Sequence, residues 1–182
     1  MSRDYSKSLV LFCALLTLSV NAAAQFETRA SSRVSIGPFN VATADFNRDG
    51  KLDIAVSGDD LQLLFGKGDG TFQPPVIPAP GLIPNWVTTA DFNHDGNLDL
   101  AVADFSGYFP GVSILLGNGD GTFQAPVNYS TPNAASFIAV GDFKGDHNLD
   151  LVVLDSHEVS VLLGNGGGSP QKASLTGFGL GT

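Results

Sequence analysis

A nine-residue acidic motif, Asp-x-Asn-x-Asp-Gly-x-x-Asp, occurs twice in the chain, at residues 45–53 and 91–99. Oxygen-bearing side chains stand at its positions one, three, five and nine, and the glycine at position six permits a sharp turn. Three carboxylates held close together repel one another, and a hard divalent cation removes that repulsion. Calcium accepts about 6 to 8 oxygen ligands with loose geometry. Each copy of the motif is therefore predicted to bind Ca²⁺.

Each loop is expected to supply side-chain oxygens from four positions and a backbone carbonyl from position seven. The predicted ligands are Asp45, Asn47, Asp49, Lys51 and Asp53 in the first loop, and Asp91, Asn93, Asp95, Asn97 and Asp99 in the second. Magnesium fits less well, because it demands near-octahedral geometry and gives up water reluctantly. The alternative is an Asx-rich hairpin turn without metal, since Asp, Asn and Gly fill turns on their own. The repeated spacing of four oxygen residues favours the metal.

A third copy of the motif, at residues 142–150, is degenerate. Lys144 puts a cation where the other copies have an asparagine ligand, and His147 replaces the turning glycine. The remaining predicted ligands are Asp142, Asp146 and Asp150. Two alternatives stay open for this loop. It binds calcium weakly, or it binds none and the lysine ammonium stands in for the metal.

A second marker, rich in glycine, follows each acidic loop along the chain. It reads Gly-x-Gly-Asp-Gly-Thr-Phe-Gln at residues 66–73 and 117–124, and a worn copy lies at 164–171. Two markers in a constant order define three repeats within residues 25–182. The interval from Phe72 to Asp91 also separates Phe26 from Asp45, so segment 25–37 is predicted to be the last strand of an offset repeat. The glycine block itself is interpreted as a hairpin turn.

Short apolar runs bounded by Gly, Asp, Asn and Pro predict strands rather than helices. In the first repeat they cover residues 41–46, 52–57, 61–65 and 71–77. The fourth run contains Pro74 and Pro75, which belong at a sheet edge because proline cannot donate to a ladder. Four-stranded units of this length are typical of stacked propeller blades. The predicted fold class is all-β, a partial β-propeller of three four-stranded antiparallel blades.

The first 24 residues are predicted to be a secretory signal peptide. Arg3 and Lys7 precede an apolar run at 9–20, and three alanines follow at 22–24. The run is too short to cross a bilayer. The mature chain is therefore predicted to be secreted, either extracellular or periplasmic, without a membrane span, and the alternative is an uncleaved anchor. The net charge of −9 argues against sequence-independent nucleic-acid binding, which needs a cationic surface.

Together the two markers resemble the FG-GAP/VCBS repeat family, which is related to the blades of integrin alpha-subunit propellers. The resemblance covers nearly the whole mature chain and is specific in the first two repeats. It implies a calcium-decorated β-propeller of a secreted or cell-surface protein, used for adhesion or ligand binding. Three units are fewer than the roughly 4 to 8 blades that close a ring. Self-association, or further blades supplied from elsewhere, is therefore expected.

The function predicted from the sequence is a secreted, non-catalytic calcium-binding module that presents loops to an extracellular glycan or protein ligand. No nucleophile elbow, metalloprotease helix or phosphate-binding glycine loop occurs in the sequence, so the chain is not expected to be an enzyme. The alternative is a fragment or subunit of a propeller-type extracellular enzyme, a polysaccharide lyase or hydrolase. His94 is interpreted as a solvated side chain. Trp86 and Phe137 are interpreted as packing residues at strand starts, with ligand stacking as the alternative.

Overall fold

A computed structural model describes residues 31, 33–34, 37–105, 110–168 and 171–172 of the chain. The predicted signal peptide, 1–24, lies outside the described residues. Of the predicted N-terminal strand, 25–37, only residues 31, 33, 34 and 37 are described, and none of these four belongs to a strand. Within these described parts of the chain, no helix is long and apolar enough to cross a membrane.

Strands and turns make up the regular structure of the described ranges, which contain no helix. The strands are β1 (Asn40–Ala44), β2 (Asp53–Ser57), β3 (Gln62–Leu64), β4 (Pro84–Ala90), β5 (Asp99–Asp104), β6 (Gly111–Leu115), β7 (Val127–Ser130), β8 (Phe137–Gly141), β9 (Asp150–Leu154), β10 (Val159–Leu163) and β11 (Gln171–Lys172). The predicted all-β class is confirmed.

The strands form three antiparallel sheets in which chain neighbours pair, with orders β1-β2-β3, β4-β5-β6-β7 and β8-β9-β10-β11. None of these sheets closes on itself. The first sheet has three strands rather than the predicted four. Its fourth segment makes only isolated bridges, Leu63 with Val76 and Gly66 with Phe72, because Pro74 and Pro75 between them have no amide to extend the ladder.

The sheets pack face to face in chain order, β1 against β4 and β4 against β8. Large side chains of a middle strand face the preceding sheet, and small ones face the following sheet. In β5, Leu100 and Val102 lie in the core shared with the first sheet, whereas Ala101 and Ala103 lie in the core shared with the third. This alternation follows from the two-residue period of a strand, and the small residues let the next sheet approach closely. The close packing of neighbouring sheets holds each acidic loop beside the acidic loop of the next repeat.

Candidate functional site

The three acidic loops occupy equivalent places, each joining the first two strands of its sheet. Position six adopts the left-handed backbone conformation in every copy, with φ of 79° at Gly50, 80° at Gly96 and 67° at His147. The turning role predicted for this glycine is confirmed. The histidine of the third loop holds the same conformation at the steric cost that a Cβ atom brings there.

Oxygens from positions one and three converge on a single backbone amide in the first two loops. The amide of Asp49 lies 3.1 Å from both Asp45 Oδ1 and Asn47 Oδ1. The amide of Asp95 lies 3.2 Å from Asp91 Oδ1 and 3.1 Å from Asn93 Oδ1. The structure therefore brings together the predicted ligands of positions one and three, beside the carboxylate of position five.

The aspartate at position nine is fully buried in all three repeats and has a separate structural role. One oxygen accepts the amide of the phenylalanine at position two, and the other accepts the amide of the glycine that begins the glycine block. For Asp53 the donors are Phe46 at 3.0 Å and Gly66 at 2.8 Å. The same pair of hydrogen bonds is made by Asp99, at 2.8 and 2.8 Å, and by Asp150, at 2.9 and 2.7 Å. We call this arrangement the aspartate latch.

The glycine of the latch has no room for a side chain. A Cβ atom at Gly66, Gly117 or Gly164 would overlap the carbonyl oxygen of the leucine at position eight of the acidic loop. The two sequence markers of each repeat are thus joined in space, backbone against backbone. Sequence reasoning assigned the ninth aspartate to metal and the glycine to a turn, and it missed the latch. The constant co-occurrence of the two markers was the signal.

Burial, backbone amides and neighbouring charges together set the pKa of the buried carboxylate at position nine of the second loop. Burial raises the pKa of Asp99 above its usual value, the amides of Gly117 and Phe92 oppose this, and the charges of Asp95 and Asp91 add to the increase. In the first loop Lys51 Nζ lies 2.9 Å from Asp49 Oδ2, and this contact lowers the pKa of Asp49. In the second loop the amide of Asn97 is the largest cause that lowers the pKa of Asp95, and the charge of Arg48 from the preceding loop adds to the decrease.

The first two loops fit calcium by the chemistry of their donors. Each offers two carboxylates, an amide oxygen and the carbonyl of position seven, all hard oxygen ligands. Within the described ranges, no group of three or more His, Cys, Asp and Glu side chains is gathered as a metal site, and the ninth carboxylate already serves two amides. An ionised carboxylate has about four lone-pair sites. Asp53 and Asp99 therefore stay predicted ligands through their remaining lone pairs.

Residues 54–102 and 91–153 match the FG-GAP-like repeat, so the two matches together span more than half of the chain. The chain belongs to the FG-GAP-like repeat family. Among solved structures it is similar to a lectin of Agrocybe aegerita, described for its specific recognition of non-reducing terminal N-acetylglucosamine. The likeness has a TM-score of 0.55 at 26% identity, and it covers 76% of this chain but only 38% of the lectin chain. No curated protein matches the chain.

Consecutive acidic loops are also linked through their position four. Arg48 Nη2 donates to the carbonyl of Gly96 in the next loop. His94 Nε2 lies 3.3 Å from Asn148 Oδ1 of the third loop. His94 is exposed, as expected for a solvated side chain, yet it contacts a partner in the next repeat, which the sequence interpretation missed.

The aromatic residues predicted to pack do so between the second and third sheets. The rings of Trp86 and Phe137 have centroids 4.3 Å apart. The equivalent residue of the first repeat, Asn40, accepts a hydrogen bond from the amide of Val87 at 2.9 Å. This position therefore connects neighbouring sheets whether it is aromatic or polar.

The third acidic loop departs from the other two at position three. Lys144 Nζ lies 2.6 Å from Asp146 Oδ2 and donates to the carbonyl of Gly164 at 2.7 Å. The hydrogen bond to Asp146 raises the pKa of Lys144, and the charges of Asp150 and Asp142 add to the increase. Of the three predicted ligands of this loop, Asp146 contacts the ammonium group directly, and Asp142 and Asp150 act on it by charge.

Proposed function

We propose that this chain is a secreted, non-catalytic carbohydrate-binding module whose first two acidic loops are stabilised by calcium. The observation that carries the carbohydrate ligand is the likeness to the N-acetylglucosamine-specific lectin, at 26% identity over 76% of this chain. The chain spans 38% of that lectin, so the sugar specificity is a proposal for this protein. Calcium is supported by the oxygen donors of the two intact loops. Calcium bound there would hold positions one, three and five of each loop in one conformation.

We propose the pocket between β7 and β10 as the sugar site. It has a volume of about 250 Å³ and is lined by Asn128, Tyr129, Ser130 and Leu162. Pockets for drug-sized ligands span roughly 300–1,000 Å³, so this smaller one suits a single sugar ring. Tyr129 supplies an apolar ring with a polar tip, and Asn128 and Ser130 supply hydrogen-bonding groups. Ser113 Oγ donates to Asn128 Oδ1 at 2.8 Å and orients that amide.

Titration calorimetry of the full mature chain with an oligosaccharide ending in N-acetylglucosamine tests this function. Binding is expected with calcium present, no cleavage of the sugar is expected, and a galactose-terminated oligosaccharide should not bind. The Asn128→Ala variant should weaken binding about tenfold, which corresponds to one lost hydrogen bond of roughly 1.4 kcal/mol. Asn118→Ala, outside the pocket lining, is the matched control. Equal binding of both sugars, binding of neither, or release of a shortened product contradicts the proposal.

We propose further that the three sheets are consecutive blades of a β-propeller, and that a second copy of the chain continues it. The exposed fractions of equivalent residues, on the face of each sheet that would pack against a preceding sheet, support this arrangement. Val87 is 1% and Ile138 is 2% exposed, whereas Val41 of the first sheet is 58% exposed. An apolar groove lined by Ile54, Val56 and Leu64 lies on the same face of the first sheet as Val41.

The third sheet, at the other end of the row of three sheets, also exposes an apolar residue whose equivalents are buried. Phe46 and Phe92 are 3% and 6% exposed, and Phe46 packs edge-on against Phe123 of the next repeat. Phe143, their equivalent in the third repeat, is 55% exposed. The first sheet thus exposes the face that, in the other two sheets, packs against a preceding sheet. The third sheet exposes the face that, in the other two, packs against a following sheet. Head-to-tail contact between two copies would bury both apolar ends by the packing already present between repeats.

A further inference from the structure

We propose that the third acidic loop binds no calcium, because the Lys144 ammonium takes the place of the ion. The inference goes beyond the proposed function. Only the expected number of bound ions rests on the proposed calcium binding by the first two loops.

The contacts of Lys144 are those of a cation held inside the loop. Its Nζ reaches the carboxylate at position five, Asp146, at 2.6 Å, and the carbonyl of Gly164 at 2.7 Å. The hydrogen bond from Lys144 is the largest cause that lowers the pKa of Asp146, which falls to about 2. Asp142 and Asp150 act on the ammonium by charge alone. One internal positive charge therefore serves all three carboxylates.

The donors left for a metal are poorer than in the other loops. Position three provides an amide oxygen in Asn47 and Asn93, and it provides none in the third loop. A calcium ion placed among Asp142, Asp146 and Asp150 would meet the ammonium at close range. Like charges repel there, so the ion would have to break both contacts of Lys144 before it could bind. The ligand set of the third loop does not fit calcium.

A lysine in the first loop does not have the same effect. Lys51 also pairs with its position-five carboxylate, Asp49, at 2.9 Å. It does so from position seven, where the backbone carbonyl is the predicted ligand, and it leaves the oxygen of Asn47 in place beside the Asp49 amide. Position three, and not the mere presence of a lysine, distinguishes the third loop. Lys67→Asn, in the glycine block of the first repeat and outside the predicted ligands, is the matched control for Lys144→Asn.

The number of calcium ions per chain, measured by calorimetry and by metal analysis after equilibrium dialysis, tests the inference. Wild type should bind two ions, Lys144→Asn should bind three, and Lys67→Asn should remain at two. Three ions in wild type would overturn the inference. It would also be overturned if Lys144→Asn stayed at two, because the ammonium would then not be the obstacle.

Amide hydrogen exchange separates failure of this inference from failure of calcium binding as a whole. The His147 amide donates to Asp142 Oδ2 at 2.8 Å inside the third loop. In wild type its exchange rate should be the same with calcium and with chelator, and Lys144→Met should raise the rate in chelator about tenfold. Should wild type bind no calcium at all, this second measurement still decides. An unchanged rate in Lys144→Met, or a calcium-dependent rate in wild type, contradicts the role of Lys144.

Discussion

The carboxylate of Asp150 accepts a hydrogen bond at 2.7 Å from the amide of Gly164, the first residue of the glycine block in the same repeat. Its other oxygen accepts the amide of Phe143 at 2.9 Å. The third repeat has lost an asparagine and a glycine of the calcium motif, yet it keeps this pair of residues. The latch therefore explains why the ninth aspartate and the following glycine recur even where the predicted metal site is degraded.

Replacing the latch carboxylate by an amide should destabilise the fold without any involvement of calcium. In Asp150→Asn the side-chain NH₂ group must face one of two buried backbone donors, which leaves polar groups unsatisfied. The expected loss is about 1–3 kcal/mol in the free energy of unfolding. Urea denaturation in chelator measures it, and Asp59→Asn at an exposed turn is the control. A stability change equal to that of the control would show that the latch contributes nothing.

A methyl group at the latch glycine should also destabilise the protein. In Gly117→Ala the new Cβ would overlap the carbonyl oxygen of Leu98, so the backbone of the second repeat must shift. The expected loss is about 1–3 kcal/mol, the usual cost of overpacking. Gly167→Ala is the matched control, because a Cβ there would lie 3.4 Å from its nearest neighbour, Asn165 Oδ1. Thermal unfolding of both variants should therefore separate them by several degrees.

Calcium should raise the free energy of unfolding by an amount set by two sites. For dissociation constants of about 0.1–1 mM, 10 mM calcium stabilises each site by about 1.4–2.7 kcal/mol. Asp95→Asn weakens the second site and should remove about half of the calcium-dependent gain. Asp120→Asn in the glycine block should leave that gain unchanged. Unfolding midpoints with calcium and with chelator check this, and a wild-type protein indifferent to calcium would refute it.

Two exposed carboxylates of the glycine blocks should titrate below their ordinary range. The Thr71 hydroxyl, followed by its amide, lowers the pKa of Asp69 from 3.8, and Thr122 lowers that of Asp120 in the same way. Because the folded-state pKa is depressed, the stability that these groups contribute is present above pH 3.8 and is lost as the pH falls through the folded-state pKa. Carboxyl carbon NMR should show the Asp69 midpoint rising in Thr71→Val and staying low in Thr71→Ser. Equal midpoints in both variants would contradict the hydroxyl's role.

Charge placed on the open face of the first sheet should prevent association of two copies. Leu52 is 68% exposed there, so Leu52→Glu should leave the stability of a single chain nearly unchanged. It should weaken self-association about tenfold or more, because a carboxylate would be buried in an apolar contact. Light scattering across a concentration series measures this. Val127→Glu, on the edge strand β7, is the control, and a wild-type chain that is monomeric at all concentrations would refute the self-association.

The strands and the loop positions could be predicted from local sequence patterns, whereas the number of strands in the first sheet could not. Two-residue alternation around Leu100 and Val102 and the turn residues around Gly50 and Gly96 are properties of neighbours in sequence. For the fourth strand of the first sheet, the effect of the two prolines was expected but was larger than predicted. Pro74 and Pro75 were expected to place that strand at an edge, and the loss of two amide donors was instead enough to reduce it to bridges.

The sequence by itself determined that three β repeats exist, that each carries an acidic turn and a glycine turn, and that the first two turns have the oxygen spacing of calcium ligands. Only the tertiary structure decided which carboxylate is buried as a latch, which loops touch through Arg48 and His94, and which apolar faces stay uncovered. The physical reason is that turn dihedrals and strand period depend on adjacent residues. Burial and hydrogen-bond partners depend on which distant segments the paired strands bring together, as Asp150 and Gly164 demonstrate.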